Sequence, residues 1–420
     1  MTSLALARGW SRDDGSEMMH ELPAANNIAA TKVVIVGGGP AGMVLGLLLA
    51  RAGLQVTVLE RNPDFEREFR GEILQPRFMR VAEQADILDI IRAIPHETFS
   101  EMRLFLGPLR TAAIQIKKID KRFPFVTWMT QPMMLKGLHE AARTFPNFKL
   151  VFDANVQQIT WDQGVCTGVE YDVLDQHHKI DAHLVVGADG RFSKIRRLGA
   201  FELEYAHHEL DVIWFETNRP KSYTHGADFF LSADFPIVLL PKAPGKIQCG
   251  ILVDPGAARS LLQLGAESLA RKLNETHPMF EEFSKSLVDL HAFTVLDGKI
   301  EFVKEWAKNG LLLIGDAAHT CSPAGAIGVT IATETAVVAA REIIRCARLQ
   351  RFSRADLAPI QASRSHEIRT IHRFQRGFVN NIRKSRGMSR TLLTSLLFLL
   401  IKTGIVPRLM RSILTRSTPL

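Results

Sequence analysis

Close to its N-terminal end the chain changes from an irregular pattern to short apolar runs separated by glycine-rich turns. Lys32–Val36 is a β-branched run typical of a buried strand, and Gln55–Leu59 is a second one. Between them, a glycine-rich turn is followed by apolar residues at helical spacing as far as Ala52. This order predicts a strand–turn–helix–strand unit, the βαβ building block of parallel sheets.

The following segments predict helices and strands in mixed order. Helices are expected at Pro76–Ile91 and Pro132–Ala142, because each opens with a proline, which is favoured in the first turn. Short strands are expected between Val156 and Val186 and again over 205–253. A further helical segment covers about 258–273.

Towards the C-terminus the pattern returns to buried structure. Leu311–Ile314 predicts a buried strand, a long helix of small residues follows from Pro323, and the tail from about 353 is helical. These elements together imply an interleaved α/β protein of two domains. The expected division is a first domain from residues 32–100, 126–200 and 301–352, a second from 101–125 and 201–300, and a tail over 353–420.

Composition is ordinary for a globular protein, but charge is unevenly distributed. The 420 residues are 46% apolar and 23% charged, with a formal net charge of +8. Residues 361–420 hold 12 Lys and Arg but one acidic residue, Glu367, which leaves residues 1–360 at a net −3. Nucleic-acid-binding proteins usually carry their basic residues on a folded face, so we do not expect a nucleic-acid partner.

The cysteines and the N-terminal segment indicate the compartment. The four cysteines are far apart in sequence and form no CxxC pair, which argues against a disulfide framework or a metal site. The first 31 residues contain no long apolar run of the signal-peptide kind. Both observations predict a reducing, cytoplasmic location.

The glycine-rich turn has the form Gly37-x-Gly39-x-x-Gly42, and Glu60 ends the second strand. Glycines in this turn let the backbone approach a pyrophosphate at the positive end of the following helix. An acid at this spacing accepts hydrogen bonds from ribose hydroxyls, so the motif predicts a dinucleotide. The alternative is a glycine turn that serves only strand–helix packing, which leaves Glu60 unexplained.

Two further motifs place an aspartate directly after a buried strand. One is Val185-Val186-Gly187-Ala188-Asp189-Gly190-x-x-Ser193-x-x-Arg196, and the other is Leu313-Ile314-Gly315-Asp316-Ala317-Ala318-His319 followed by Pro323-Ala324-Gly325-Ala326-Ile327-Gly328. Ligands of open α/β folds bind at the carboxyl edge of the sheet, where these aspartates are expected. The backbone N–H groups of Gly325 and Gly328 are suited to an electron-rich ring.

In this order and spacing, the three motifs resemble those of class A flavoprotein monooxygenases, the single-component hydroxylases of the para-hydroxybenzoate hydroxylase and ubiquinone-biosynthesis type. The resemblance covers roughly residues 32–350. It implies an α/β fold in which a GxGxxG Rossmann-type FAD-binding domain is interleaved with a mixed β-sheet substrate domain, followed by a helical C-terminal tail.

The resemblance also implies FAD as cofactor and NAD(P)H as co-substrate. Asp189 is linked in the family to both nucleotides, Arg70 resembles the arginine at the FAD phosphates, and Asp316 resembles the residue at the ribityl chain. The residues that it places at the cofactor are Gly37, Gly39, Pro40, Ala41, Gly42, Glu60, Arg61, Arg70, Gln131, Asp189, Asp316, Pro323, Gly328 and Val329.

In the family's mechanism, a flavin C4a-hydroperoxide transfers one oxygen atom to the substrate, without a catalytic side chain or a metal. The resemblance therefore implies a monooxygenase that hydroxylates an aromatic, polyketide, quinolone or indole-type small molecule. One departure is Thr330, where the family often has Asn. Because squalene-epoxidase-like members also carry Thr in that region, epoxidation of an isoprenoid alkene is an alternative.

Two other functions stay open from the sequence. One is a flavin dehydrogenase or reductase that transfers no oxygen, and the other is a non-catalytic escort protein with the same fold. The oligomeric state is not indicated.

Several residues near these motifs have simpler interpretations. His319 is expected to be a packing or orienting residue and not a base, and Cys321 to fill space without a basic partner. Phe229, Phe230 and Phe235 are expected in the core of the middle sheet, and the alternative for some of them is a position that faces the substrate. In the tail, Leu392–Ile401 is an apolar run of ten residues, too short to span a bilayer. Flanking arginines suit either peripheral membrane contact or packing against the body.

Overall fold

The computed structural model describes residues 28–66, 71–106, 109–221, 223, 226–231, 235–242, 245–284, 293–323, 325–384, 396, 399–401 and 403–415. The strands are β1 (Lys32–Val36), β2 (Gln55–Leu59), β3 (Gly71–Leu74), β4 (Glu97–Phe99), β5 (Glu101–Leu106), β6 (Leu109–Gln115), β7 (Val126–Thr130), β8 (Phe148–Val151), β9 (Asn155–Asp162), β10 (Val165–Val173), β11 (Gln176–Asp181), β12 (Leu184–Gly187), β13 (Leu203–Asn218), β14 (Ala227–Leu231), β15 (Pro236–Lys242), β16 (Lys246–Val253), β17 (Thr294–Val303), β18 (Ala307–Lys308), β19 (Leu311–Leu313) and β20 (His319–Thr320).

The α-helices are α1 (Pro40–Arg51), α2 (Pro76–Gln84), α3 (Leu88–Ala93), α4 (Gln131–Ala142), α5 (Lys194–Leu198), α6 (Ala257–Gln263), α7 (Gly265–Thr276), α8 (Met279–Ser284), α9 (Gly328–Leu349), α10 (Arg354–Lys384) and α11 (Ile405–Leu414). Short 3₁₀ helices cover Ile116–Lys118 and Gly315–Ala317.

The first large sheet confirms the βαβ unit and the predicted α/β fold. Its order is β18-β19-β12-β1-β2-β8, in which β1 pairs in parallel with both β2 and β12. Strand β19 continues the parallel set beside β12. Three distant parts of the sequence thus meet in one sheet, which aligns the carboxyl ends of β1, β2 and β12 along one edge.

The second large sheet has two faces in different surroundings. Its order is β20-β17-β13-β16-β15-β14-β5-β6, with β14 and β5 parallel and their neighbours antiparallel. One face packs an apolar core against α7 and α8, where Phe215 and Leu239 join Leu269 and Phe280. Because side chains alternate along a strand, the intervening residues lie on the opposite face, which borders a cavity.

Two smaller sheets complete the fold. Strands β11-β10-β9 form one and β3-β7-β4 the other. The main apolar core includes residues of the six-stranded sheet and of helices α1, α4 and α9. Glycines permit the closest approach there: a Cβ at Gly46 of α1 would lie 3.0 Å from the Phe148 ring.

Two predicted helices differ from the structure. The single helix expected over Pro76–Ile91 is wrong, because α2 ends at Gln84 and α3 begins at Leu88. Asp86 between them has a left-handed φ of +54°, which ends a helix and which aspartate tolerates better than most residues. The helix expected from Pro323 begins five residues later at Gly328, and the intervening turn contributes to the cavity instead.

The described part of the tail packs against the body. Arg411 of α11 donates hydrogen bonds to the backbone oxygens of Ile119 (3.2 Å) and Lys118 (2.8 Å). Met410 packs against an apolar cluster of the body that includes Ile119. Among the described residues, the structure has no helix that is both long and apolar enough to cross a bilayer.

Candidate active site

A cavity of about 1780 Å³ is lined by residues of both large sheets. At one end lie the carboxyl ends of β1 and β2 and the loop after β12, and at the other lies the face of the eight-stranded sheet that is turned away from α7 and α8. The volume exceeds the roughly 300–1,000 Å³ typical of a site for one small ligand. It therefore has room for a dinucleotide and a second molecule.

The structure brings most of the predicted cofactor residues into this one cavity, although they come from five separate parts of the chain. Gly42 is buried beneath the turn, and Arg70 lies outside the described residues. The predicted residues in the lining are Gly37, Gly39, Pro40, Ala41, Glu60, Arg61, Gln131, Asp189, Asp316, Pro323, Gly328 and Val329.

The glycine turn is as tight as its motif predicts. Gly37 has a φ of +109°, and a Cβ there would lie 2.4 Å from the backbone oxygen of Ala188. A Cβ at Gly42 would lie 1.9 Å from the backbone oxygen of Gly37. At Gly39, by contrast, a Cβ would meet nothing within 4 Å, so this side of the turn is open towards the cavity.

Two helices present their N-termini to the cavity without a side-chain cap among the described residues. Helix α1 follows Gly39 and α9 follows Ile327, and neither of these residues can cap the helix with a side-chain acceptor. The first backbone N–H groups of a helix need acceptors, and they carry partial positive charge. This arrangement fits a pyrophosphate at α1 and an electron-rich ring at α9, so the residues present fit a flavin dinucleotide.

Glu60 lies at the end of β2, is 3% exposed and is held by its neighbours. One carboxylate oxygen accepts from the backbone N–H of Gly38 (2.8 Å), and the other from Asn62 through its backbone N–H (3.0 Å) and its Nδ2 (2.7 Å). The bond to Gly38 ties the acid to the glycine turn. Asn62 is a site residue that the motif spacing alone did not reveal.

The middle motif is organised around its aspartate. Asp189 accepts hydrogen bonds from Ser193 Oγ (2.5 Å) and from the backbone N–H groups of Lys194 (2.6 Å) and Ile195 (3.0 Å). Its carboxylate thereby provides acceptors for the first N–H groups of α5. The carboxylate thus fixes the loop that carries Arg191. Arg191 in turn reaches Asp316 of the third motif at 3.3 Å. Arg191 lies inside the middle motif, but no spacing rule distinguishes it there, and sequence reasoning missed it.

Two glutamines border the cavity from neighbouring elements. Gln131 is 4% exposed in the first turn of α4, whose N-cap Thr130 accepts a hydrogen bond from the backbone N–H of Met133 (3.3 Å). Gln75 follows β3 and donates through Nε2 to the backbone oxygen of Gly325 in the turn before α9. Sequence reasoning missed Gln75, because the two segments are 250 residues apart.

The histidine and the cysteine of the third-motif region are both buried, and burial shifts their pKa values. Burial holds the pKa of His319 well below its usual range, and its Nε2 lies 2.9 Å from Thr335 Oγ1. Cys321 does have a basic neighbour, contrary to expectation, since its Sγ lies 3.5 Å from His372 Nε2. Burial raises the pKa of Cys321 to about 12 and lowers that of His372 to about 4, so the thiol keeps its proton.

The aromatic residues of the middle sheet divide between its two faces. Phe230 and Phe235 lie in the apolar core, as predicted. Phe229 follows the alternative: it is 36% exposed, because the alternation of β14 places it on the opposite face, although all three rings line part of the cavity. The tail also contributes to this lining through Val406 and Met410.

A nucleotide-binding edge joined to an apolar chamber defines an α/β protein that holds a dinucleotide cofactor beside a second ligand. The chain belongs to the FAD binding domain family, which it matches over residues 30–353. Its fold is that of p-nitrophenol 4-monooxygenase from Pseudomonas putida DLL-E4, with a TM-score of 0.76, 18% identity and coverage of 91% of this chain and 97% of that one.

Two curated relatives are similar over much of this chain. One is 6-methylpretetramide 4-monooxygenase of Streptomyces rimosus, at 29% identity over 85% of each chain. The other is squalene monooxygenase of Mus musculus, at 24% identity over 72% of this chain and 52% of its own length. The prediction of an FAD-dependent monooxygenase is confirmed at the level of the enzyme class.

Proposed function

We propose that the protein hydroxylates a multi-ring aromatic molecule of the polyketide phenol type, with FAD as cofactor and NAD(P)H as reductant. The observation that carries this proposal is the continuity of the cavity from the nucleotide-binding edge to an apolar sheet face. Flat apolar rings suit such a face because their burial is favourable. The name of the Streptomyces rimosus relative adds support for a polyketide substrate.

The cofactor end of the cavity is assigned to FAD through the open side of the glycine turn, Glu60 and the first turn of α9. Bound FAD supplies the redox and oxygen chemistry, and the chain binds it, orients the substrate and excludes water. The six-stranded sheet carries the cofactor in this assignment, and the eight-stranded sheet carries the substrate.

Epoxidation of an alkene receives less support from the structure. Thr330, the residue that suggested it, is fully buried in α9 and does not belong to the described lining of the cavity. Its side chain therefore does not distinguish a phenol from an alkene.

The test is a screen of polycyclic phenols for stimulated NAD(P)H oxidation under ¹⁸O₂. We expect a product that has gained one labelled oxygen atom, measured by mass spectrometry. Substrate oxidation without label would instead identify a dehydrogenase, and absence of flavin after reconstitution would support the escort-protein alternative.

The tail also contacts an anionic membrane surface in this proposal. Leu399 and Ile405 are 56% and 41% exposed, and the surrounding sequence is basic. Apolar side chains beside basic residues favour the interface of an anionic bilayer. Leu399→Glu with Ile405→Glu should reduce sedimentation with anionic liposomes, whereas Leu174→Glu, at an exposed turn elsewhere, should not. If the double variant and Leu174→Glu sediment equally with the liposomes, the membrane contact is refuted.

A further inference from the structure

In the described strands, the cavity face of the eight-stranded sheet is mainly apolar, and one of its buried positions carries a polar side chain. Strand alternation places Val212 and Trp214 of β13, Val238 and Leu240 of β15, and Leu252 of β16 on this face, and all of them line the cavity. The pairing of β16 with Leu240 places Gln248 on the same face. Gln248 is 4% exposed and also lines the cavity.

Other polar side chains on this face differ from Gln248 in their exposure. Glu216, directly across from Gln248 on β13, is exposed and pairs with Lys242. Thr294 of β17 is half-buried. Among the described residues that β5 and β13–β16 place on this face, Gln248 is therefore the polar one that is buried.

The amide oxygen of Gln248, Oε1, is buried and lacks a hydrogen bond within the described part of the chain. Buried polar atoms in native structures nearly always have a partner, so such an atom needs a specific explanation. A chamber wall of apolar side chains does not provide one, but a ligand in the chamber would.

We infer that Gln248 is the polar anchor of the substrate, and that it selects molecules carrying a hydroxyl or carbonyl group on an aromatic ring. A phenolic hydroxyl donates to the amide oxygen, and a ring carbonyl accepts from the amide N–H₂. This inference rests on the proposed aromatic substrate. It adds that the polar group of the substrate faces the eight-stranded sheet, and that Gln248 sets specificity without taking part in the chemistry.

The experiment compares two ligands of nearly equal shape, 1-naphthol and 1-methylnaphthalene. Their Kd values are measured by equilibrium dialysis against the FAD-loaded full chain without NAD(P)H. The variant is Gln248→Met, which keeps the length of the side chain and removes its polar atoms. Gln176→Met, an exposed position on β11 in a separate sheet, is the matched control.

Wild type and Gln176→Met should prefer 1-naphthol, and in Gln248→Met the ratio of the two Kd values should shift by about tenfold towards 1-methylnaphthalene. The thermal midpoint of the ligand-free variant should rise, because an unpartnered buried amide is removed. An unchanged ratio, or a wild type without preference for 1-naphthol, overturns the inference. Equal weakening of both ligands with a lower midpoint does so too, because it indicates a merely structural residue.

The inference and the proposed function fail separately. A Gln248-dependent preference for 1-naphthol, together with failure to incorporate labelled oxygen into any phenol, supports the anchor and refutes the monooxygenase proposal. Labelled products together with an unchanged Kd ratio in Gln248→Met support the monooxygenase proposal and refute the anchor.

Discussion

Substitution of Glu334 by glutamine should destabilise the protein far more than the same substitution eight residues later in the same helix. Glu334 of α9 is fully buried between Arg77 of α2 and Arg364 of α10, which are 1% and 0% exposed. Its carboxylate accepts from Arg77 Nε at 2.6 Å and Nη2 at 2.5 Å, and from Arg364 Nη2 at 2.6 Å. Glu367, a quarter exposed, completes a network of two cations and two anions.

The magnitude follows from these three hydrogen bonds. A glutamine keeps one acceptor oxygen and turns an N–H₂ group towards a guanidinium, so at least one bond is lost and two donors meet. The remaining bonds lose their anionic acceptor and with it about half of their strength. One positive charge in the network is left without its counter-ion, which typically costs about 3–5 kcal/mol.

The assay is thermal unfolding of the FAD-loaded protein. With an unfolding entropy of about 2.1 cal/mol/K per residue, this chain has about 0.9 kcal/mol/K, so the midpoint should fall by about 3–6 °C. The control is Glu342→Gln on α9, whose carboxylate pairs at 2.8 Å with Arg345 at the surface. A surface pair contributes about 0–1 kcal/mol, hence about 1 °C or less. If Glu334→Gln lowers the midpoint no more than Glu342→Gln does, the reasoning about buried charge is wrong.

Three further predictions concern the glycine turn, the third motif and acid stability. Gly42→Ala should abolish FAD retention, measured by flavin absorbance of the purified protein, because its Cβ would lie 1.9 Å from a backbone oxygen. Gly39→Ala, which meets nothing within 4 Å, should fold with an unchanged unfolding midpoint. Asp316→Ala should lower FAD occupancy, and full occupancy would contradict its assignment to the cofactor. Burial alone would raise the pKa of Asp120, but hydrogen bonds from Arg80 and two backbone N–H groups hold it below its ordinary value. The ionised carboxylate of Asp120 therefore stabilises the folded state above about pH 4, and this stabilisation is lost as the pH falls further. We expect the unfolding midpoint of Asp120→Asn to depend less on pH below about 4 than that of wild type, measured by thermal unfolding at several pH values.

The convergence of the residues predicted for the cofactor has a geometric reason. Parallel strands align their carboxyl ends, so residues that directly follow β1, β2 and β12 converge once the strands are recognised. In this way the glycine turn that begins at Gly37 meets the side chains of Glu60 and Asp189. Their partners were harder to predict, because Asn62 and Arg191 follow no spacing rule and are selected only by the loop conformations around them.

The substrate end could not be predicted because a strand pattern does not identify which of its faces borders a cavity. Strand β16 is buried on both sides, so its sequence lacks the alternation that would have distinguished Gln248 from its neighbours. The choice between core and cavity for Phe229 was likewise not decided by the pattern of β14. The Arg77–Glu334–Arg364 network joins α2 to α9 and α10, which lie about 250 residues further along the chain, and a helix pattern does not indicate which helices pack together.

The tail shows why net charge did not identify a partner. Arg408 and Arg411 of α11 are both exposed, yet Arg411 also donates hydrogen bonds to backbone oxygens of the body. Met410 on the same helix lines the cavity. Deletion of the tail would therefore open the proposed substrate chamber at the same time as it removes basic charge, and a loss of activity would say nothing about membranes. Substitution of exposed apolar residues such as Leu399 by glutamate separates the two effects, because it changes the outer surface and leaves the wall of the chamber in place.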